Sequence, residues 1–152
     1  MMPPKKPACL AACLAYVQTR LDAARAGMAA AQESSNSETK SSAGDKYETG
    51  RAMAQQERDR HAAQFHEAQQ LLATLQKINP ELASDAVRTG ALASTSLGLF
   101  YVSISAGRLT TAEGQEFMAV SAAAPLAVAL HGRRAGEEVI FNGKPVRVAA
   151  VS

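Results

Sequence analysis

Two stretches of the N-terminal half carry apolar or small residues at alternating intervals of three and four. In the first the positions are Leu10, Leu14, Val17, Leu21, Ala24, Met28 and Ala31; in the second they are Ala54, Arg58, His61, Phe65, Ala68, Leu72 and Leu75. That spacing is the stripe of a coiled-coil seam and predicts two long helices. The stripes mirror each other. Folding the chain back near Ser41 pairs Leu10 with Leu72, Leu14 with Ala68, Val17 with Phe65 and Leu21 with His61. An antiparallel hairpin over residues 1–80 is therefore predicted, with a polar tip at about 34–48 that presents the acids Glu38, Asp45 and Glu48.

The first helix is expected from about Ala8 to about Ser34, roughly 40 Å at ~1.5 Å per residue, with Pro7 in its first turn. Ser34 to Ser42 is rich in serine and poor in apolar residues, which predicts a break in the helix. Ser42 or Asp45 then caps the second helix, which continues to Ile78. Asn79-Pro80 stops it, because proline disfavours helical geometry in the residue before it.

From Val87 onward the helical period gives way to alternation. Leu97, Leu99 and Tyr101, interleaved with Phe100, Val102 and Ile104, form a β run ending at Ala106-Gly107. Glu116 to Ser121 reads as a second strand, and Pro125 opens a short helix, PLAVALHG, closed by Gly132. Val139-Ile140-Phe141 and Val146-Arg147-Val148 flank the dipeptide Asn142-Gly143, a strong hairpin signal. Residues 81–152 thus predict a small, mostly antiparallel sheet covered by one helix, and the chain as a whole belongs to the α+β class. The roughly 65 residues from Val87 onward lie close to the lower limit for an independent core.

Composition changes this picture little. A net charge of +2 with scattered basic residues does not argue for a nucleic-acid surface, and neither half shows a basic stripe with interleaved aromatics. Lys5 and Lys6 precede an apolar run, but only six residues separate Lys6 from Cys13, short of the about 7 to 15 of a signal-peptide core. Nothing approaches the ~18 apolar residues of a membrane span, so a cytoplasmic protein is expected. Cys9 and Cys13 lie one helical turn apart without further ligands nearby and read as small apolar residues at the seam. His61 and His66 are five apart, not the helical metal spacing, so structural roles are expected for the histidines. No phosphate-binding glycine loop, catalytic triad order or zinc spacing occurs, and no cofactor of its own is expected.

The order of elements and several residues resemble the Gre-type transcript cleavage factors of bacterial RNA polymerase. The matching residues are Pro125-Leu126-Ala127, Leu130, Gly132-Arg133 and Gly136-Glu137-Glu138-Val139, with a second region around Tyr47. They are similar to the family stretch in which Ser-Pro-Ile-Ala leads through a short helix to Leu-x-Gly-Lys and Gly-Asp/Glu. The resemblance implies a coiled-coil hairpin joined to an FKBP-like domain. It further implies docking on RNA polymerase, here by Pro125, Leu126, Leu130, Gly132 and Arg133, and insertion of the hairpin into the secondary channel. There the tip acids, Glu38, Asp45 and Glu48, would help hold the polymerase's second Mg²⁺ and a water that cleaves backtracked RNA. A carboxylate beside a weakly held Mg²⁺ raises its occupancy and favours deprotonation of a bound water. The polymerase remains the enzyme, and RNA 3′ ends and DNA are met only within it.

The tip departs from the family pattern. With Tyr47 aligned to the family tyrosine, Ser41 and Gly44 take the two acid positions, and the acids of this chain are displaced along the loop. Asp45 and Glu48, three apart, also match a helix capping box. Ala123-Ala124 stands where the family often carries a polar pair before its proline. Two alternatives stay open: a Gre-like channel occupant without cleavage activity, and a structural coiled-coil adaptor that dimerises. A monomer is expected under the first reading. An isomerase of the FKBP-like fold is disfavoured, because Phe100, Tyr101, Phe117 and Phe141 are few for an aromatic pocket and several must fill the core.

Overall fold

A computed structural model describes residues 5–39 and 44–152, with side chains left out at 37–39 and 44–47. The elements are α1 (Lys6–Thr39), α2 (Gly44–Gln76), β1 (Leu92–Thr95), β2 (Gly98–Val102), β3 (Gly107–Thr110), β4 (Glu116–Val120), α3 (Pro125–Leu130), β5 (Glu138–Phe141) and β6 (Lys144–Val151). The architecture is α+β: two long helices, then a six-stranded sheet with one short helix. Two compact units divide the chain. One comprises residues 17–71, and the other joins residues 1–16 to 72–152.

Within residues 17–71, α1 and α2 run antiparallel. The site of a Cβ on Gly27 lies 2.4 Å from the His61 ring, and the Arg25 guanidinium sits 5.4 Å from the centre of the Phe65 ring. The expected register of Leu21 with His61 is therefore corrected: His61 meets Gly27, six residues further along α1. The absence of a side chain at Gly27 makes that place for the imidazole. The buried stripe on α1 reads Val17, Leu21, Ala24 and Ala31, and on α2 Ala54 and Ala68, with His61 and Phe65 half-buried. Arg58, expected on the seam, is exposed, since its long charged side chain reaches water at no cost.

Two further expectations at the helix ends are corrected. α1 does not break at Ser34 but continues to Thr39. Ala31 is buried, Ser35 is half-buried and Gln32 donates to Asn36 Oδ1 at 3.3 Å, so packing and a side-chain bond along the helix outweigh the weak propensity of serine. α2 already begins at Gly44, which puts Asp45 inside the first turn and Glu48 in the second, rather than at the two ends of a capping box. Ser41 and Ser42 lie outside the described residues.

In the other unit the strands lie in the order β3-β4-β2-β1-β6-β5. All neighbours are antiparallel except β2 and β4, which pair parallel from Phe100↔Met118 to Val102↔Val120. The single β run expected over 97–107 is instead a turn, a strand and a second turn. Leu97 sits at an exposed hairpin tip between β1 and β2, where Thr95 Oγ1 donates to the Gly98 carbonyl and accepts from the Leu97 amide. The Asn142-Gly143 turn forms as the sequence dictates: both residues have positive φ, 52° and 76°, joining Phe141 to Lys144.

β2 explains why the sheet unit needs more than the C-terminal residues. Phe100, Tyr101 and Val102 are all buried, so both faces of this strand are covered. One face packs Ala93, Val102, Val146 and Val148 with Val87, Leu130 and Val139. The side carrying Tyr101 meets Phe117 edge-to-face at 6.2 Å and takes the first turns of α1: Cys9 and Cys13 are wholly buried, and Cys13 Sγ lies 3.7 Å from Ser103 Oγ. The stripe at this end of α1 is accordingly Cys9, Cys13 and Val17. Leu14, expected on it, is exposed, and Leu10 is half-buried. Leu75 from the end of α2 is also buried. Both cysteines are free.

Candidate functional site: the helical tip and the short-helix surface

The sequence points to two places, one in each unit. At the helical tip, Glu48 is exposed on α2. Glu38 and Asp45 lie on helical backbone, but their carboxylates, and with them the expected metal-assisting arrangement, fall outside the described side chains. Near this end of the hairpin a groove of about 590 Å³ runs past Ser34, Gly50, Met53, Ala54, Glu57 and Arg60, with Met53 mostly exposed. No group of three or more metal-ligating side chains occurs among the described residues.

The second place is the segment from α3 to β5. Ala124 precedes α3 in extended geometry with no side-chain cap, and Pro125 takes the first helical position, where a missing N–H costs nothing. Leu126 and Leu130, four apart, face inward: Leu130 belongs to the core and Leu126 packs against it. Leu130 thus sets the seat of the helix rather than offering a surface. Pro125, Gly132 and Arg133 are exposed. Gly132, at φ 78°, turns the chain out of α3, and its amide donates to the Val87 carbonyl at 2.8 Å while the Val87 amide donates to the Arg133 carbonyl at 2.9 Å.

Beyond α3 the chain makes a charged turn. Arg134 pairs with Asp85 at 2.7 Å and Arg133 with Glu137 at 3.6 Å, and Glu137 Oε1 accepts from the Arg134 amide at 2.8 Å. Exposed pairs of this kind contribute little to stability, so their effect is to orient the arginines. Two exposed apolar residues near this segment were not singled out from the sequence: Val128 on α3 and Ile140 on β5, 61% and 68% exposed. The signal for Val128 was present, since a helix that buries Leu126 and Leu130 must turn the residue midway between them outward.

The buried groups of this unit are chemically quiet. Burial pushes the Cys9 thiol up to about 11, with the neighbouring Cys13 adding to the effect. The Cys13 thiol is also raised by burial, against a lowering from the Ser103 hydroxyl. Both are thiols, not thiolates, at neutral pH, which is the wrong state for a nucleophile or metal ligand. The Tyr101 hydroxyl is pushed up by burial too and has no hydrogen-bond partner among the described residues. In the helical unit, His61 Nδ1 contacts Gln64 at 3.1 Å and His66 Nε2 contacts Gln70 at 3.3 Å.

The chain is thus an α+β protein with a helical hairpin and a six-stranded sheet. Among solved structures it is similar to the GreA factor homolog 1 (Gfh1) protein of Thermus thermophilus, at 19% identity over 90% of this chain and 92% of that one, with a TM-score of 0.35. A second structure, of the transcription factor Gfh1, matches at 19% identity over 92% and 93% of the two chains, with a TM-score of 0.37. No protein-family model matches the chain, and no curated protein does. No helix among the described residues is long and apolar enough to cross a membrane.

Proposed function

We propose that this chain is a Gre-type regulator of transcription elongation that binds RNA polymerase and is not itself an enzyme. The observation that carries the reading is the conjunction of two features in one chain. An antiparallel helical hairpin is followed by the segment Pro125–Val139, whose Gre-like residues form a short helix, a left-handed glycine exit and a return into the sheet. In this reading Pro125, Gly132 and Arg133, with Val128 beside them, form the polymerase-docking surface. Leu126 and Leu130 hold it in place, and the hairpin tip enters the secondary channel.

Glu38, Asp45 and Glu48 would then lie near the Mg²⁺ of the polymerase. Whether they assist it decides between cleavage stimulation and simple occupancy of the channel. The second outcome is favoured by one observation: Asp45 and Glu48 belong to the first turns of α2, and Ser41 and Gly44 stand where the family carries its acids. The protein would act as a cytoplasmic monomer, and sedimentation of the pure chain checks that. The decisive experiment is a pull-down of RNA polymerase by the full chain, followed by cleavage assays on backtracked complexes with Glu38→Ala, Asp45→Ala and Glu48→Ala. Loss of cleavage in any variant with binding retained supports metal assistance. Retained binding with no cleavage by the parent chain supports the occupant, and failure of the full chain to bind polymerase removes the proposal.

A further inference from the structure

A groove of about 540 Å³ lies between the end of α2 and the loop that leads into the sheet, wholly within one compact unit. Its volume is in the range of small-molecule sites, roughly 300–1,000 Å³. The lining has two characters. Ile78 and the exposed Leu82 make an apolar wall, while Lys77, Arg88 and the hydroxyl residues Ser84 and Thr89 make a polar one.

The cationic side is built. Arg88 Nε donates to Ser84 Oγ at 3.1 Å and its Nη2 to the Ala83 carbonyl at 3.4 Å, and Ser84 is almost fully buried. The guanidinium is therefore tied to a fixed post, and both partners are neutral. Lys6 is buried and donates from its ammonium to the carbonyl of Leu82, a residue of the groove wall. Burial disfavours the charged form of Lys6, and the nearby Arg88 charge disfavours it further, with Glu81 the opposing carboxylate. Like charges are thus held near each other at the groove. Elsewhere Arg60, Arg108, Arg133 and Arg134 each pair with an acid, but among the described residues neither Lys77 nor Arg88 does.

Two cations and several hydroxyls offer more donors than the two oxygens of a carboxylate can accept. The terminal oxygens of a phosphate suit them better, and a guanidinium matches that geometry with paired bonds. We propose that this groove binds a phosphorylated small molecule, its phosphate on Lys77 and Arg88 and its uncharged part against Ile78 and Leu82. The proposal does not depend on polymerase binding. No sequence motif marks the groove, because Lys77 and Arg88 are brought to one lining only by the fold.

The test is calorimetric titration of the full chain at low salt with inorganic pyrophosphate, GTP and guanosine, with amide NMR to locate the site. Pyrophosphate and GTP are expected to bind saturably and to shift resonances of residues 74–90, while guanosine does not bind. Lys77→Gln, an exposed change, should weaken GTP about tenfold through loss of one charge-assisted contact. Arg88→Gln should weaken it at least as much, with a melting curve to confirm that the fold persists. Absence of saturable binding by both phosphorylated probes overturns the site. So do affinities that both variants leave unchanged, or shifts that map elsewhere. Displacement of GTP by a single-stranded RNA oligonucleotide with a steep salt dependence would overturn the small-molecule assignment in favour of a strand.

Discussion

The two units are held together by different means. In the sheet unit, three consecutive residues of β2 are buried, and large side chains such as Tyr101, Leu130 and Ile104 are wholly enclosed. In the hairpin, the buried positions are mostly alanine, and one of the closest approaches is an imidazole laid against a glycine. Full burial of a leucine or valine contributes about 1.5–3 kcal/mol, and an alanine methyl roughly 0.8. The sheet unit therefore rests on volume filled. The hairpin rests on close approach along a narrow stripe, so its tolerance to change depends on who faces whom rather than on how much is removed.

That contrast can be broken most directly at Leu130. Leu130→Ala should cost about 3 kcal/mol in a denaturant melt, because a wholly buried leucine leaves a cavity in a core that cannot close over it. The same cost at Leu21→Ala would show that the hairpin is packed like a core, and the comparison would fail. A second test uses pH. The Cys9 thiol is raised to about 11 in the fold, and Cys13 and Tyr101 are also raised. The neutral forms are favoured by folding, so below about pH 9 this contribution is fully present. As pH climbs above 9 the unfolded chain loses protons that the folded one keeps, and stability falls, by about 3 kcal/mol for Cys9 once pH has passed about 11. Urea midpoints across that window should decline, and Cys9→Ala should flatten the decline. A thiol reagent should label neither cysteine in the native chain at neutral pH.

The smallest effect sharpens the hairpin side of the contrast. Alanine normally improves a helix over glycine by about 1 kcal/mol. At Gly27 the added Cβ would sit 2.4 Å from the His61 ring, and Gly27→Ala should instead destabilise by about 1 kcal/mol. In the double variant with His61→Ala the helical gain should return. A double-mutant cycle on thermal melts measures that sign change.

Where folding is decided locally, the sequence was legible. Asn142-Gly143, Pro125 and the alternation over Glu116–Val120 each settled their element, because turn geometry and strand period are properties of a few neighbouring residues. The hairpin was legible as a pair of stripes, but its register was not. The second stripe contains Arg58, which turns to solvent, and the first passes over Gly27, whose missing side chain admits His61. At the start of α1 two adjacent stripes competed, Leu10 and Leu14 against Cys9 and Cys13. The choice was made by Tyr101 and Ser103, which no local pattern reveals. Of the short-helix segment, the helix start at Pro125 and the exit at Gly132 were legible. Leu130, expected at a surface, sits in the core instead, and the exposure of Val128 could have been inferred from the helical period. The cations of the groove could not.

The chain order of these contacts sets a timetable. Cys13 meets Ser103 across 90 positions, Lys6 meets Leu82 across 76, and β1 pairs with β6 at the far end of the sequence. The hairpin, in contrast, closes between segments joined by a short connection. Loop closure over long separations has to be bought with entropy before any contact rewards it. On the ribosome, residues 17–71 can pair while the first turns of α1 still lack their sheet. Cys9 and Cys13 then wait, exposed, until Tyr101 and Ser103 have emerged. The burial of Cys13 is thus completed by a residue made 90 positions later.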